Sequence, residues 1–232
     1  MRVPEDSLLE SKAHWEKVYQ TKAPDKVSWY APHLDTSIKL IERAAPKREA
    51  RIIDVGGGES TLIDDLIHAQ YQNLSVLDIS STAITFARHR LGDAPDKVAW
   101  YCADITSATL PESYFDVWHD RAVFHFLITD AAREAYLKNV AHAVKHGGHV
   151  IISTFGLEGP DQCSGLDIVK YDAAGLHDTF GKAFHLIESS TEIIETPFGT
   201  TQQFCIASVE WNSKLNDRGH AVFLSALKTF SL

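Results

Sequence analysis

The chain has 232 residues, enough for one domain with a full core and short for two comparable ones. Its formal net charge of −9 gives no electrostatic footprint for phosphate backbones or anionic membranes, so neither nucleic acid nor a bilayer is an expected partner. Cys102, Cys163 and Cys205 are far apart and form no CxxC pair, which indicates neither a disulfide framework nor a zinc knuckle and suggests a reducing compartment.

The opening MRVPEDSLLE lacks a basic-then-apolar signal pattern, and no apolar run is long enough to span a bilayer; a soluble cytoplasmic protein, monomer or homodimer, is expected. Ser7 with Glu10 three residues on reads as a capping box opening a helix that carries Leu8, Leu9, Trp15, Val18 and Tyr19. A polar turn, TKAPDK, follows. Pro32 interrupts the pattern after Trp29 and Tyr30, and a second helix is expected from about Leu34 to Ala44.

The stretch Arg51 to Leu62, RIIDVGGGESTL, reads as a strand, a bare turn and a helix opening at Glu59, Ser60 or Thr61, with Leu62, Ile63, Leu66 and Ile67 behind it. Glycines here permit positive φ and let a ligand lie against the backbone N–H groups at the helix start. One glycine would read as an ordinary βα turn; three after Asp54 read as a nucleotide-sized seat. The dinucleotide fingerprint GxGxxG fits Gly56 and Gly58 but fails at Thr61.

Beyond the turn, strands are expected at 74–78, 98–102, 115–119 and 149–155, with helices at 81–91 and 130–146, the last one stopping at Gly147 and Gly148. Alternation of this kind implies right-handed βαβ units and a parallel sheet. The stretch FHLIESSTEIIETPFGTTQQFCIASVEW reads as an antiparallel hairpin around Pro197 to Gly199, and Gly219 to Leu232 holds a possible short helix.

Asp54, Gly56 and Gly58, in the form Asp-x-Gly-x-Gly, resemble motif I of the class I S-adenosylmethionine (SAM) methyltransferases. The two preceding helices with Trp29 and Tyr30 resemble the N-terminal arm of the thiopurine methyltransferases and of the lysine methyltransferases similar to the citrate synthase enzyme. The resemblance implies an α/β fold: a single Rossmann-like class I methyltransferase domain whose seven-stranded, mostly parallel sheet has the order 3-2-1-4-5-7-6. An antiparallel hairpin forms its edge, and helices cover both faces. On that basis residues 1–48 form a helical arm of the same domain, 49–211 the methyltransferase core and 212–232 a C-terminal extension. The cofactor would be S-adenosylmethionine and the product S-adenosylhomocysteine.

Ligands of open α/β sheets bind past the carboxyl ends of the strands. The cofactor seat is therefore expected at Asp54, Gly56, Gly57, Gly58, Ser60 and Thr61. Asp78 is suited to both ribose hydroxyls, a role a nicotinamide enzyme would also need. The resemblance implies that Asp104 accepts from the adenine amino group, with Ile79 and Ile105 sandwiching the ring. The segment WHDRAVFHF offers His119, Asp120, Arg121 and His125 as catalytic candidates: His119 or Asp120 bordering the methionine end, Arg121 and His125 on one helical face toward the acceptor, and histidine as the proton acceptor. A core position between Phe124 and Phe126 is the competing reading of His125.

Trp29 and Tyr30 would close over cofactor or acceptor, since an aromatic face attracts a sulfonium or ammonium cation. The glycine-rich connection at 156–171 is expected to wall the acceptor, with Cys163 an incidental thiol in an exposed loop. His142, His146 and His149 lie opposite the ligand edge and are assigned no metal. The leading reading is methyl transfer to N, O or S of a small molecule. A protein lysine is the alternative acceptor, and an NAD-dependent oxidoreductase or a non-catalytic SAM-binding protein the alternative class.

Overall fold

The structure is a computed structural model describing residues 5–92 and 98–212, with backbone only for 5–8. In chain order it comprises α1 (Glu5–Thr21), α2 (Asp35–Ala44), β1 (Arg51–Val55), α3 (Leu62–His68), β2 (Asn73–Asp78), α4 (Ser81–Leu91) and β3 (Val98–Cys102). Then come β4 (Phe115–Arg121), α5 (Asp130–Ala143), β5 (Val144–Phe155), β6 (Gln162–Cys163), β7 (Leu166–Asp167), α6 (Ala173–Phe180), β8 (Phe184–Glu195) and β9 (Thr201–Trp211).

The large sheet has the order β3-β2-β1-β4-β5-β9-β8. β1 to β5 run parallel, and β9 is antiparallel to both β5 and β8. This is the expected Rossmann-like methyltransferase architecture, and its antiparallel edge departs from the 3-2-1-4-5-6 order of dinucleotide-binding sheets.

Adjacent strand residues point to opposite faces, so the apolar run of β1 is buried twice over. Ile53 packs with Trp118, Ile152 and the α5 and α6 residues Tyr136, Val140 and Phe180. Ile52 packs on the other side with Val76, Ile151 and the α2 and α3 residues Ile41, Leu62 and Leu66. Helices thus cover both faces, and the crossovers leave the strands' carboxyl ends together along one edge.

Four expectations change. The helix from residue 130 ends at Ala143, and β5 begins at Val144, because Val144 pairs with Phe115 of β4. Gly147 and Gly148 therefore lie inside a strand, where Gly147 takes φ 75° and a Cβ on Gly148 would come within 3.1 Å of the Asp116 carbonyl. β4 extends to Arg121, paired with Ser153, and only a 3-10 turn at Phe124–Phe126 follows. The expected helical turn starting at Arg121 does not form. α1 is already running at Glu5, which puts Ser7 inside the helix instead of at its cap.

The 156–171 connection contains the β6–β7 hairpin, and α6 follows it unannounced. Gly219 to Leu232 lies outside the described residues. No helix among the described residues is long and apolar enough to cross a membrane.

Between β4 and α5 the core holds a closed polar chain. Trp118 Nε1 donates to Tyr136 Oη at 2.9 Å, and Tyr136 Oη donates to Asp120 Oδ2 at 2.7 Å. Tyr136→Phe removes the shared hydroxyl and orphans both buried partners, so denaturant unfolding is expected to show a loss of about 1–3 kcal/mol. A loss near zero would mean that the hydroxyl does not bridge the two groups.

Candidate active site

The sharp end of β1 explains why three glycines are needed. Gly56 turns with φ 70°, and its amide donates to the Leu77 carbonyl of β2 at 2.7 Å. A Cβ there would sit 2.0 Å from Val123 Cγ2; at Gly57 it would meet Asp54 Oδ2 at 2.3 Å, and at Gly58 the Ala83 Cβ at 2.5 Å. No side chain fits at these three places without displacing the ends of β4, β1 or α4.

Asp54 lies under this turn. Its Oδ1 accepts from His119 Nδ1 at 2.7 Å, and His119 Nε2 meets Ser37 Oγ at 2.9 Å. A carboxylate only accepts, so Nδ1–H donates to Asp54, and Nε2 and the Ser37 hydroxyl share the second hydrogen bond. All three side chains are buried. The chain resembles a nucleophile relay in composition, yet Ser37 is not among the residues that line the cleft above; it pins β1, β4 and α2 together beneath the glycines.

Asp78, at the end of β2, accepts from the Gly58 amide at 3.0 Å and the Ser80 amide at 2.8 Å. Burial pushes its carboxyl up to about 6, against those two amides and with the Asp54 and Glu16 charges adding to the rise. Asp104, after β3, has Oδ1 engaged by the amide and hydroxyl of Thr106.

A cleft enclosing about 850 Å³ of empty space, mouth included, runs along this edge. At one end it is lined by Gly56, Asp78, Ile79, Asp104 and Ile105; at the other by Trp29, Arg121, Phe126 and Cys163. The roof is α1, which contributes Ser11, Trp15 and Tyr19 at four-residue spacing. Trp15 contacts Trp29 and Phe126 with ring centroids 5.8 and 5.1 Å apart, so the far end is a largely aromatic chamber.

Three anchors hold the arm over the cleft. Glu16 accepts from Ser80 Oγ, from the Ser81 amide and hydroxyl and from the Thr82 amide, sealing the N-terminus of α4. Burial alone would raise its carboxyl, but the donors of Thr82, Ser81 and Ser80 outweigh this and hold it at about 2. Thr61 Oγ1 donates to the Ala31 carbonyl at 3.1 Å, and Arg121 Nη1 donates to the Trp29 carbonyl at 2.8 Å.

The sequence-predicted residues separate accordingly. Trp29, Gly56, Asp78, Ile79, Asp104, Ile105 and Arg121 line the cleft, whereas Tyr30, Ser60 and Thr61 do not. Ser60 Oγ instead accepts from the Leu62 amide at the start of α3. Asp54, Gly57, Gly58 and His119 lie just beneath. Asp120 is turned into the core, accepting from Tyr136 and from the Val123 and Phe124 amides, with burial raising it to about 6.

His125 stacks on Phe155 at 4.7 Å and is fully buried, and burial lowers it to about 3. It is neutral, packed, and not paired with Arg121 on a shared helical face. No histidine lines the cleft. Cys163 is buried in the wall instead of lying in an exposed loop, and burial pushes its thiol up to about 11. Among the described residues no His, Cys, Asp or Glu cluster is arranged to hold a metal ion.

Residues missed in the sequence are chiefly Trp15, Tyr19 and Phe126. Trp15 and Tyr19 were legible as an apolar helix stripe, which by itself says only that something covers them.

Residues 52–148 match the family described as "Methyltransferase domain". Over 141 residues the chain is 26% identical to the mouse (Mus musculus) eEF1A lysine and N-terminal methyltransferase, covering 61% of this chain and 20% of that protein. Over 107 residues it is 36% identical to the malonyl-[acyl-carrier protein] O-methyltransferase of Anoxybacillus flavithermus, covering 45% of this chain and 39% of that one. The chain thus spans about a fifth of the eEF1A relative and two fifths of the other.

Among solved structures, one from work on conversion of a disulfide bond into a thioacetal group during echinomycin biosynthesis has TM-score 0.70 at 19% identity, covering 94% of this chain and 99% of that one. The Burkholderia thailandensis 1,6-didemethyltoxoflavin-N1-methyltransferase, solved with 1,6-didemethyltoxoflavin and S-adenosylhomocysteine, has TM-score 0.66 at 14% identity, with 92% of each chain covered. The fold is that of the class I SAM-dependent methyltransferases, and residues 52–148 are the part that matches a methyltransferase domain.

Glu16→Ala is expected to free the arm while the sheet stays intact. Amide exchange over residues 9–21 should accelerate by about tenfold or more, as loss of charge-assisted hydrogen bonds demands, with β1 and β4 unchanged. Because the folded Glu16 carboxyl is depressed, arm docking should be complete above the ordinary value of 4.5 and lost as pH falls toward about 2. Unchanged exchange in the variant would show that Glu16 does not hold the arm.

Proposed function

We propose that the protein is a SAM-dependent methyltransferase acting on a small-molecule acceptor. The observation that carries this reading is the single cleft joining the glycine turn, Asp78 and the Ile79–Ile105 pair to an aromatic chamber under α1. Its polar and apolar parts fit the nucleoside and the sulfonium of one ligand. SAM supplies an activated methyl group whose C–S bond breaks as the acceptor lone pair takes the carbon, leaving S-adenosylhomocysteine.

The protein's residues would bind, align and exclude water. Gly56 to Gly58 admit the cofactor against the backbone; Asp78 accepts the ribose hydroxyls; Asp104 accepts from the adenine amino group between Ile79 and Ile105. Asp54, held by His119 and Ser37, fixes the turn from below. Trp15, Tyr19, Trp29 and Phe126 enclose the reacting end, where aromatic faces favour a cation and keep water out.

At that end the titratable wall residues are Tyr19, Arg121 and Cys163. Burial, with the Asp78 and Glu59 charges, puts the Tyr19 phenol well above its usual range, and burial likewise keeps Cys163 protonated at neutral pH. None is a proton acceptor there. This favours an acceptor that reaches the cleft as a free nucleophile, such as an ionised thiol or an unprotonated nitrogen.

A protein lysine is the second reading, favoured by the mouse eEF1A lysine and N-terminal methyltransferase at 26% identity. Transfer of labelled methyl from SAM in a cell lysate separates the two readings: label in the small-molecule fraction supports the first, label in protein the second.

Calorimetric titration with SAM, S-adenosylhomocysteine and NAD tests the class. Micromolar or tighter binding of the first two is expected, and binding of NAD alone would overturn the reading. Asp78→Asn should weaken SAM by roughly tenfold to a hundredfold, the range for lost hydrogen bonds to a charged group, and should also lower the melting temperature, because one of the oxygens that accept the Gly58 and Ser80 amides becomes an NH2 donor. With Asp78 titrating near 6, wild-type affinity should also fall as pH drops below that value, because the protonated acid loses half its acceptor capacity.

A further inference from the structure

The two edges of the large sheet are finished differently. β3 is 5 residues long, whereas β8 runs for 12, with β9 on one side and no strand on the other among the described residues. Of the large apolar side chains that the described residues leave exposed, half lie on β8 and the turn after it: Leu186, Ile187, Ile193 and Phe198. Ile193 is the most exposed of them at 69%. Apolar surface gathered in this way along one element marks an interaction site.

A free strand edge offers unpaired amides and carbonyls to another chain, and edges are ordinarily blunted by lysine, proline, a bulge or an inward charge. β8 has no Lys, Arg or Pro, and its bulge falls near its start, between Leu186 and Glu188. Two of its carboxylates do not guard the edge either: Glu188 accepts from Arg43 at 2.9 Å and Glu192 from Thr36 at 2.8 Å, both on α2. Residues 188–195 are left as a regular, largely exposed strand.

We infer that β8 pairs with β8 of a second copy of this chain, antiparallel about a two-fold axis, joining the two sheets into one. Charge selects the register. Residues directly opposite each other in such a pair share a face, and like charges there are unfavourable. Centring the pair on Ser190 sets Glu188 against Glu192, and centring it on Glu192 sets that carboxylate against its own copy. Centring on Thr191 keeps residues 188–194 within the regular stretch and puts Glu188 opposite Ile194, Ser189 opposite Ile193 and Ser190 opposite Glu192, so no carboxylate faces another. A second copy is thus the partner that the strand itself specifies, because one edge supplies both halves of the pattern. No β8 residue lines the cleft, and the inference does not depend on the methyltransferase reading.

Sedimentation equilibrium of the full chain across the micromolar range tests the pairing. The wild type is expected to rise from one chain's mass to twice that mass. Ile193→Lys and Ser189→Glu should each weaken association by about tenfold, since every cross-strand pair occurs twice in a two-fold dimer. An equimolar mixture of the two variants should associate about threefold or more tighter than either alone, because one new carboxylate then meets one new ammonium across the pair. Phe86→Lys, which alters an exposed ring on α4, should leave association unchanged. A wild type that stays one chain throughout, or Ile193→Lys protein that associates as the wild type does, overturns the pairing. So does protection of the β8 amides from exchange in a wild-type monomer, which would give the edge to the chain's own residues 213–232. A mixture no tighter than its parts overturns the register centred on Thr191. If Ile193→Lys fails to fold, Ser189→Glu and the concentration dependence of β8 amide exchange in the wild type are read in the same way.

Discussion

Steric crowding around Gly56 to Gly58 is the constraint on which the rest depends. The Val123 side chain, the Asp54 carboxylate and Ala83 all stand where a Cβ on one of these residues would be. The ends of β1 and β4 and the start of α4 can therefore converge on one bare backbone loop, and the loop can lie open to a ligand. Asp54, His119 and Ser37 close the underside as a buried hydrogen-bonded chain through Asp54 Oδ1, which ties β1, β4 and α2 together beneath the turn.

The upper side is made by the arm. α1 contributes to the cleft through Ser11, Trp15 and Tyr19, and it is fastened at Glu16 to the helix whose other neighbour, Asp78, borders the same cleft. Roof and floor are thus coupled through the first turn of α4. Entry of any ligand larger than the mouth calls for movement of this roof, and the bonds of Glu16, Thr61 and Arg121 are the ones that such movement would strain.

Much of this was legible in the sequence because it is local. Strand, glycine turn and helix at 51–62 follow from short-range periodicity, as do the hairpin around 197–199 and the acids that end β2 and β3. Tertiary contact was not legible. His119, Asp120 and His125 read as a reactive cluster, but β4 runs two residues longer than its apolar pattern suggests, so alternation sends His119 beneath the turn and Asp120 toward α5. His125 is then carried into the core against Phe155 by the 3-10 turn. Only Arg121 of the four reaches the cleft. Likewise, a helix stop at Gly147 and Gly148 was overridden by pairing of Val144 with Phe115, and Cys163 was hidden because nothing local signals that the 156–171 connection folds back over the cleft.

The central claim is that one ligand, a methyl donor, spans the cleft from Asp104 past the glycine turn to the aromatic chamber. A crystal structure of the protein soaked or grown with S-adenosylhomocysteine tests this most directly. The account predicts the ribose hydroxyls on Asp78, the adenine between Ile79 and Ile105, and the sulfur beneath Trp15 and Trp29. Nucleoside density outside this cleft, or a ribose bound away from Asp78, would contradict it.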